Sequence, residues 1–229
     1  MPAPDHLARW RQVREQVAWR DVVSDGVRPV RALRDGFADH ARASADRGAE
    51  RLHRLLDAQD DVRHAAAAGT ALTPELLARW NRITLGVPVA RFRRGPAYAK
   101  NGRERYGLHP ATEHWFATCV AQGDETAAPL AARAARLYLD VAFFHPYDDG
   151  NARLAGLALQ FVLLREQVEL DDVVPVLNPV RRADDADGAA DLARLIHGMA
   201  AATHRRRLRA SRHPGSGGGD TLVDPGVGW

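Results

Sequence analysis

Apolar residues recur at three- and four-residue steps along most of this chain, and the pattern fails between Val87 and Pro110. Such steps place one stripe of side chains on one side of a helix, so the chain reads as a set of amphipathic helices with one interruption. Leu7, Trp10, Val13 and Val17 predict a first helix near 5–22. The stripe resumes at Val30, Leu33 and Phe37 and again at Leu52, Leu55 and Leu56, with weak points at Gly36 and Gly48. Two helices, or one broken helix, fill 29–67. Thr73-Pro74-Glu75 is a helix start, because Thr accepts free amide bonds and Pro tolerates the first position; Leu76, Leu77, Trp80 and Ile83 follow until Gly86. In the interruption, Asn101-Gly102 between Ala97-Tyr98-Ala99 and Arg105-Tyr106 predicts a small hairpin. Helical signals return at 111–122, 127–143, Asn151 to about Gln167, and 187–209. The expected fold is all-α, a helical bundle with one short hairpin. It divides into an N-terminal helical extension (1–68), a core (69–209) and a Gly/Pro-rich tail (210–229) with too little apolar surface to order itself.

With 45% hydrophobic and 27% charged residues in 229, the composition is that of a globular chain able to bury a core. The formal net charge of +3 is small, and much of it sits in His204-Arg205-Arg206-Arg207-Leu208-Arg209, most simply a helix C-terminus with favourable cations. Nucleic acid is therefore not implied. One cysteine, Cys119, excludes an internal disulfide and favours a reducing compartment. The first residues lack an apolar signal region, and no stretch approaches the roughly 20 apolar residues of a membrane helix. The expectation is a cytoplasmic chain without a membrane partner.

The sharpest local feature is the junction after the 127–143 helix. His145-Pro146 stops that helix, since the residue before proline is pushed away from helical angles. The next helix starts near Asn151, so the loop His145 to Gly150 delivers backbone amides at a helix N-terminus, where phosphate oxygens bind well. Arg153 falls in the first turn, where the helix dipole disfavours a cation by roughly 0.3–1 kcal/mol. A negative group should offset it. From the residues alone, His145 could be structural, Asp149 an N-cap, Tyr147 a core anchor, Arg153 the ion-pair partner of Asp148 or Asp149, and the hairpin a plain surface loop.

His145-Pro146-Tyr147-Asp148-Asp149-Gly150-Asn151-Ala152-Arg153 resembles the Fic family signature, His-Pro-Phe-x-(Asp/Glu)-Gly-Asn-(Gly/Lys)-Arg-x-x-Arg, and the resemblance extends over roughly 70–205. It implies a transferase that moves AMP, or a related nucleotide phosphate moiety, from ATP or another nucleotide to a hydroxyl of a protein or natural-product target. His145 would be the general base. Asp149 would hold Mg²⁺ against the phosphates. Gly150, Asn151 and the amide of Ala152 would form the anion hole, with the Asn side chain as an added donor, and Arg153 would clamp a phosphate. Ala97, Tyr98, Ala99 and Lys100 would belong to a flap that pairs with the target segment.

Two positions depart from that pattern. Ala152 stands where AMP-transferring relatives usually have Gly, and Gly156 where they have a second Arg. Without that arginine, Arg153 alone would face the phosphate chain and ATP would be poorly distinguished from ADP. A missing second arginine resembles the Doc branch, which transfers a phosphate, although Doc-like sequences carry Lys at position 152. A Doc-like kinase and a catalytically silent nucleotide- or partner-binding scaffold are the rival readings. No Ser or Thr is followed by Glu four residues later, so the family's self-inhibitory helix is not expected, and residues 1–68 are read as buttressing the core or recognising a partner.

Overall fold

The computed structural model describes residues 4–23, 26–44 and 48–212. The expected unstructured tail beyond Arg212 lies outside the described residues. The chain is mostly helical with one two-stranded antiparallel sheet, as expected.

The centre is α6 (Leu130–Phe144), followed across the 145–150 loop by α7 (Asn151–Arg165). These two pack against each other along their length, with α9 (Ala186–Arg212) against α6 and α3 (Ala49–Ala67) against α7 and α4 (Pro74–Leu85). All but one residue of α6 is buried. Its many alanines let neighbours approach on every side, and its three buried charges are answered by specific partners. Arg133 donates to the Gly123 carbonyl and to Glu166, and Arg136 donates to the Gln122 carbonyl. Asp140 accepts from Trp10 Nε1 at 2.9 Å and from Arg14 Nε at 2.7 Å. Through that buried pair α1 (His6–Gln16) is tied to the middle of the molecule. One continuous apolar cluster runs from Leu7 through Leu77, Phe144 and Leu154 to Ala200.

Local signals set several boundaries as read. Thr73 Oγ1 accepts from the Leu76 amide, Pro74 opens α4, and Gly86 closes it in the left-handed region. The hairpin forms with β1 (Ala97–Ala99) pairing β2 (Glu104–Tyr106) in the register Tyr98 to Arg105, and Asn101 and Gly102 both have positive φ in its turn. α5 (Thr112–Ala121) and the four-residue α8 (Val174–Leu177) complete the chain; α8 is too short to leave a periodic signal.

Elsewhere the structure corrects the expectation. α1 stops at Gln16 rather than near 22, with Val17 extended and Trp19 folded back so that its Nε1 donates to the Arg14 carbonyl. Residues 29–35 are not helical. Val30 exchanges backbone bonds with Gln167 and Glu169, and Leu33 is exposed. Only α2 (Gly36–Ala43) and α3 form in that region. Gly36 opens α2 because a Cβ there would lie 2.7 Å from the Asp172 nitrogen and 2.8 Å from the Leu170 oxygen. α9 extends to Arg212, three residues past the predicted end.

Candidate active site

α6 ends in a residue with unusual backbone angles. His145 has φ 47° and ψ 58°, a left-handed conformation disfavoured for residues with a Cβ. Arg93 holds it there. This arginine is 4% exposed; its Nε donates to the His145 carbonyl at 2.9 Å and its Nη2 to the Gly107 carbonyl at 2.6 Å and the Phe144 carbonyl at 3.3 Å. Its backbone amide also donates to the Pro146 carbonyl. Burial disfavours the charge on Arg93, with Asp5 and Asp148 opposing that effect.

The His145 ring is fixed on two sides. Nδ1 lies 2.7 Å from the Ala142 carbonyl oxygen. A carbonyl oxygen only accepts, so Nδ1 carries the proton and Nε2 keeps the lone pair. One face of the ring stacks on Tyr106, with centroids 4.1 Å apart and planes 14° from parallel. Tyr106 is buried, and its hydroxyl donates to Glu104, which also accepts from Lys100. Burial lowers the His145 pKa below the ordinary histidine value; the bond to the Ala142 carbonyl opposes this, the nearby Arg93 adds to it, and Glu104 opposes it. The ring thus stays neutral to lower pH than a free histidine, as a proton acceptor requires.

The rest of the loop is built around Tyr147 and Asn151. Tyr147 is buried, its hydroxyl 3.4 Å from the Pro74 carbonyl, which matches its reading as a core anchor. Asn151 spends both ends of its amide on Tyr147, accepting from its backbone N–H at 3.0 Å and donating to its carbonyl at 2.6 Å. The Asn151 side chain thus clamps the turn, with one of its two amide N–H groups engaged in doing so. Gly150 has φ 85°, and a Cβ there would lie 2.2 Å from Asn81 Oδ1, so neither the angle nor the space admits a side chain.

Gly150 is the N-cap of α7 and makes no side-chain cap bond. No side-chain acceptor for the first-turn amides of Asn151 and Ala152 occurs among the described residues, and a phosphate would find them at the start of the helix. Asp149 Oδ1 accepts from the Gly150 amide at 2.6 Å, ahead of the helix. Its Oδ2 lies 3.6 Å from Arg153 Nη2, which supplies the negative neighbour that the first-turn cation needs. The Asp149 side chain is 71% exposed and that of Arg153 17%. No group of three or more His, Cys, Asp or Glu side chains suited to a metal occurs among the described residues.

In the hairpin, Tyr98 and Lys100 are exposed and Ala97 and Ala99 half-buried. The outer side of β2 is bridged by Asp5 at Arg105, and β1 has no second partner strand among the described residues. Tyr106 thus joins the hairpin directly to His145. On the other side of the loop, a cavity of about 600 Å³ opens between α2, α3, α7 and α8, with Ala152, Arg153 and Gly156 on its wall. The sequence had singled out neither Arg93 nor Tyr106. Nothing distinguishes Arg93 from its neighbours in Arg91-Phe92-Arg93-Arg94, and Tyr106 reads only as a strand residue.

The fold has known counterparts. The chain resembles a Fic domain containing signalling protein from Bacteroides thetaiotaomicron, with a TM-score of 0.56 at 13% identity over 91% of this chain and 97% of the other. It resembles Fic-1 from C. elegans with 0.52 at 16%, over 92% and 73%. It resembles IbpAFic2, in complex with adenylylated Cdc42, with 0.51 at 14%, over 88% and 64%. At these identities the likeness is one of fold. No curated protein matches the sequence. The profile of the Fic/DOC family, however, matches residues 20–163, well over half of the chain, from shortly after α1 through the His145 loop and most of α7. The chain belongs to the Fic/DOC family.

Proposed function

We propose that the chain transfers AMP, or a related nucleotide phosphate moiety, from a nucleotide to a hydroxyl group. One observation carries this reading: a neutral, half-buried imidazole with its lone pair on Nε2 stands five residues before the glycine N-cap of a helix, a cap that makes no side-chain bond. The first supplies a proton acceptor and the second an anion site, the two parts that hydroxyl attack on a phosphate needs. With ATP, the target oxygen attacks the α-phosphorus, the bond to the bridging oxygen of the pyrophosphate breaks, and the hydroxyl proton passes to His145 Nε2. The amides of Asn151 and Ala152 hold the phosphate, with Gly150 permitting its close approach. The Arg153 guanidinium clamps an oxygen at the same turn.

The donor set suits Mg²⁺, which is commonly held by one or two carboxylates together with substrate phosphates. The exposed Asp149 carboxylate beside that turn would hold the ion. When bound, magnesium neutralises phosphate charge. Ala97, Tyr98, Ala99 and Lys100 would dock the target along the open side of β1. A protein is the first target class to try, because the similar IbpAFic2 is found with adenylylated Cdc42. The thiol of Cys119 is buried with its pKa pushed up, so it is unreactive, which fits action in the cytoplasm.

Incubation of the protein and a lysate with α-labelled and γ-labelled ATP tests the reading. Transfer of the α label alone supports it, transfer of the γ label alone assigns a kinase of the Doc type, and transfer of neither assigns a silent scaffold.

A further inference from the structure

The cavity beside α7 has basic side chains on its described walls. Its described lining residues include Arg51 of α3, His40 of α2 and Arg153 of α7, and no carboxylate. Gly156 opens it, since a Cβ there would meet only Leu177, at 3.5 Å. The other arginines on α3 whose partners are known are neutralised, Arg54 by Glu50 and Arg63 by Asp35 and Asp60. The Arg51 side chain makes no hydrogen bond or ion pair among the described residues. An exposed, unpaired arginine on a wall shared with the phosphate-binding turn is a ready donor for an anion that extends out of that turn.

We infer that Arg51 holds the terminal phosphate of a nucleoside triphosphate from across the cavity, doing from α3 what position 156 of α7 cannot. The inference rests on the proposed function, which places the inner phosphates at Asn151, Ala152 and Arg153. The cavity volume of about 600 Å³ lies within the range of small-molecule sites. Leu55, Leu157 and Leu177 on its wall lower the local dielectric and strengthen a cation–phosphate contact. The N-terminal helices then belong to the nucleotide site, and the protein distinguishes ATP from ADP despite the missing arginine.

Calorimetric titration of ATP and of ADP, each with Mg²⁺, into wild type, Arg51→Gln and Arg51→Lys tests this, with thermal unfolding as the check that the variants fold. The expected result is ATP binding about tenfold tighter than ADP in wild type, a ratio near one in Arg51→Gln with ADP affinity unchanged, and an intermediate ratio in Arg51→Lys. Equal affinities in wild type, or an unchanged ratio in Arg51→Gln, overturn the inference and leave the proposed function standing. Wild type that binds neither nucleotide overturns both.

Discussion

His145 is a side chain whose chemistry is set by its surroundings more than by its type. An exposed histidine is about half protonated near pH 6.5, whereas this ring, half-buried between Tyr106 and the Ala142 carbonyl, resists the second proton. The groups facing it are Arg93 from the preceding segment and Glu104 and Tyr106 from β2, with His6 of α1 behind Tyr106 at 5.7 Å from that ring. Replacing Tyr106 by Leu removes the stack and admits water, so the His145 pKa should rise toward 6.5, and the acid limb of the rate–pH profile should move upward with it. NMR titration of the His145 ring reads the same change without turnover; an unmoved pKa would show that Tyr106 merely fills space. The sign also bears on stability. Because the folded pKa lies below the unfolded value, the neutral ring contributes stability above about pH 6.5 that is lost as pH falls through the folded pKa.

At the scale of elements, the turn from α6 into α7 is the most tightly specified piece of the chain. Gly150→Ala would force a left-handed angle costing roughly 1–2 kcal/mol and drive a methyl group into Asn81. Thermal unfolding should fall by several degrees, at about 2–4 °C per kcal/mol for a chain of this size, and nucleotide affinity should fall with it. A variant as stable as wild type would mean the turn has room to relax. This turn was legible in the sequence because its signals are local: His-Pro ends one helix, and Gly-Asn begins the next. The Thr73-Pro74 start of α4 and the Asn101-Gly102 turn were legible for the same reason. Residues 29–35 misled because their conformation comes from pairing with residues 167–171, a contact that no local pattern encodes. The clamp made by Asn151 was not legible, because only the position of the Tyr147 backbone shows that its amide serves the turn.

At the scale of the molecule, the N-terminal helices and the His145 loop share one core, so the stability of the loop depends on distant contacts. Arg14 and Asp140 form the principal polar tie between α1 and α6, with side chains 14% and 0% exposed. Arg14→Met leaves Asp140 buried with only Trp10 as a partner, which should cost about 3–5 kcal/mol in denaturant unfolding. A loss below about 1 kcal/mol would mean that water reaches the carboxylate. Charge in a buried helix is also where sequence reading fails: Arg133, Arg136 and Asp140 resemble a solvated face, and only their partners show otherwise. The central claim is that one residue supplies the base while a separate helix terminus supplies the binding. Parallel measurement of nucleotide affinity and turnover in His145→Ala tests that separation most directly. Affinity should stay within about twofold of wild type while turnover falls by roughly 10² to 10⁴, the usual contribution of a positioned general base; affinity lost in step with turnover, or turnover retained, would contradict it.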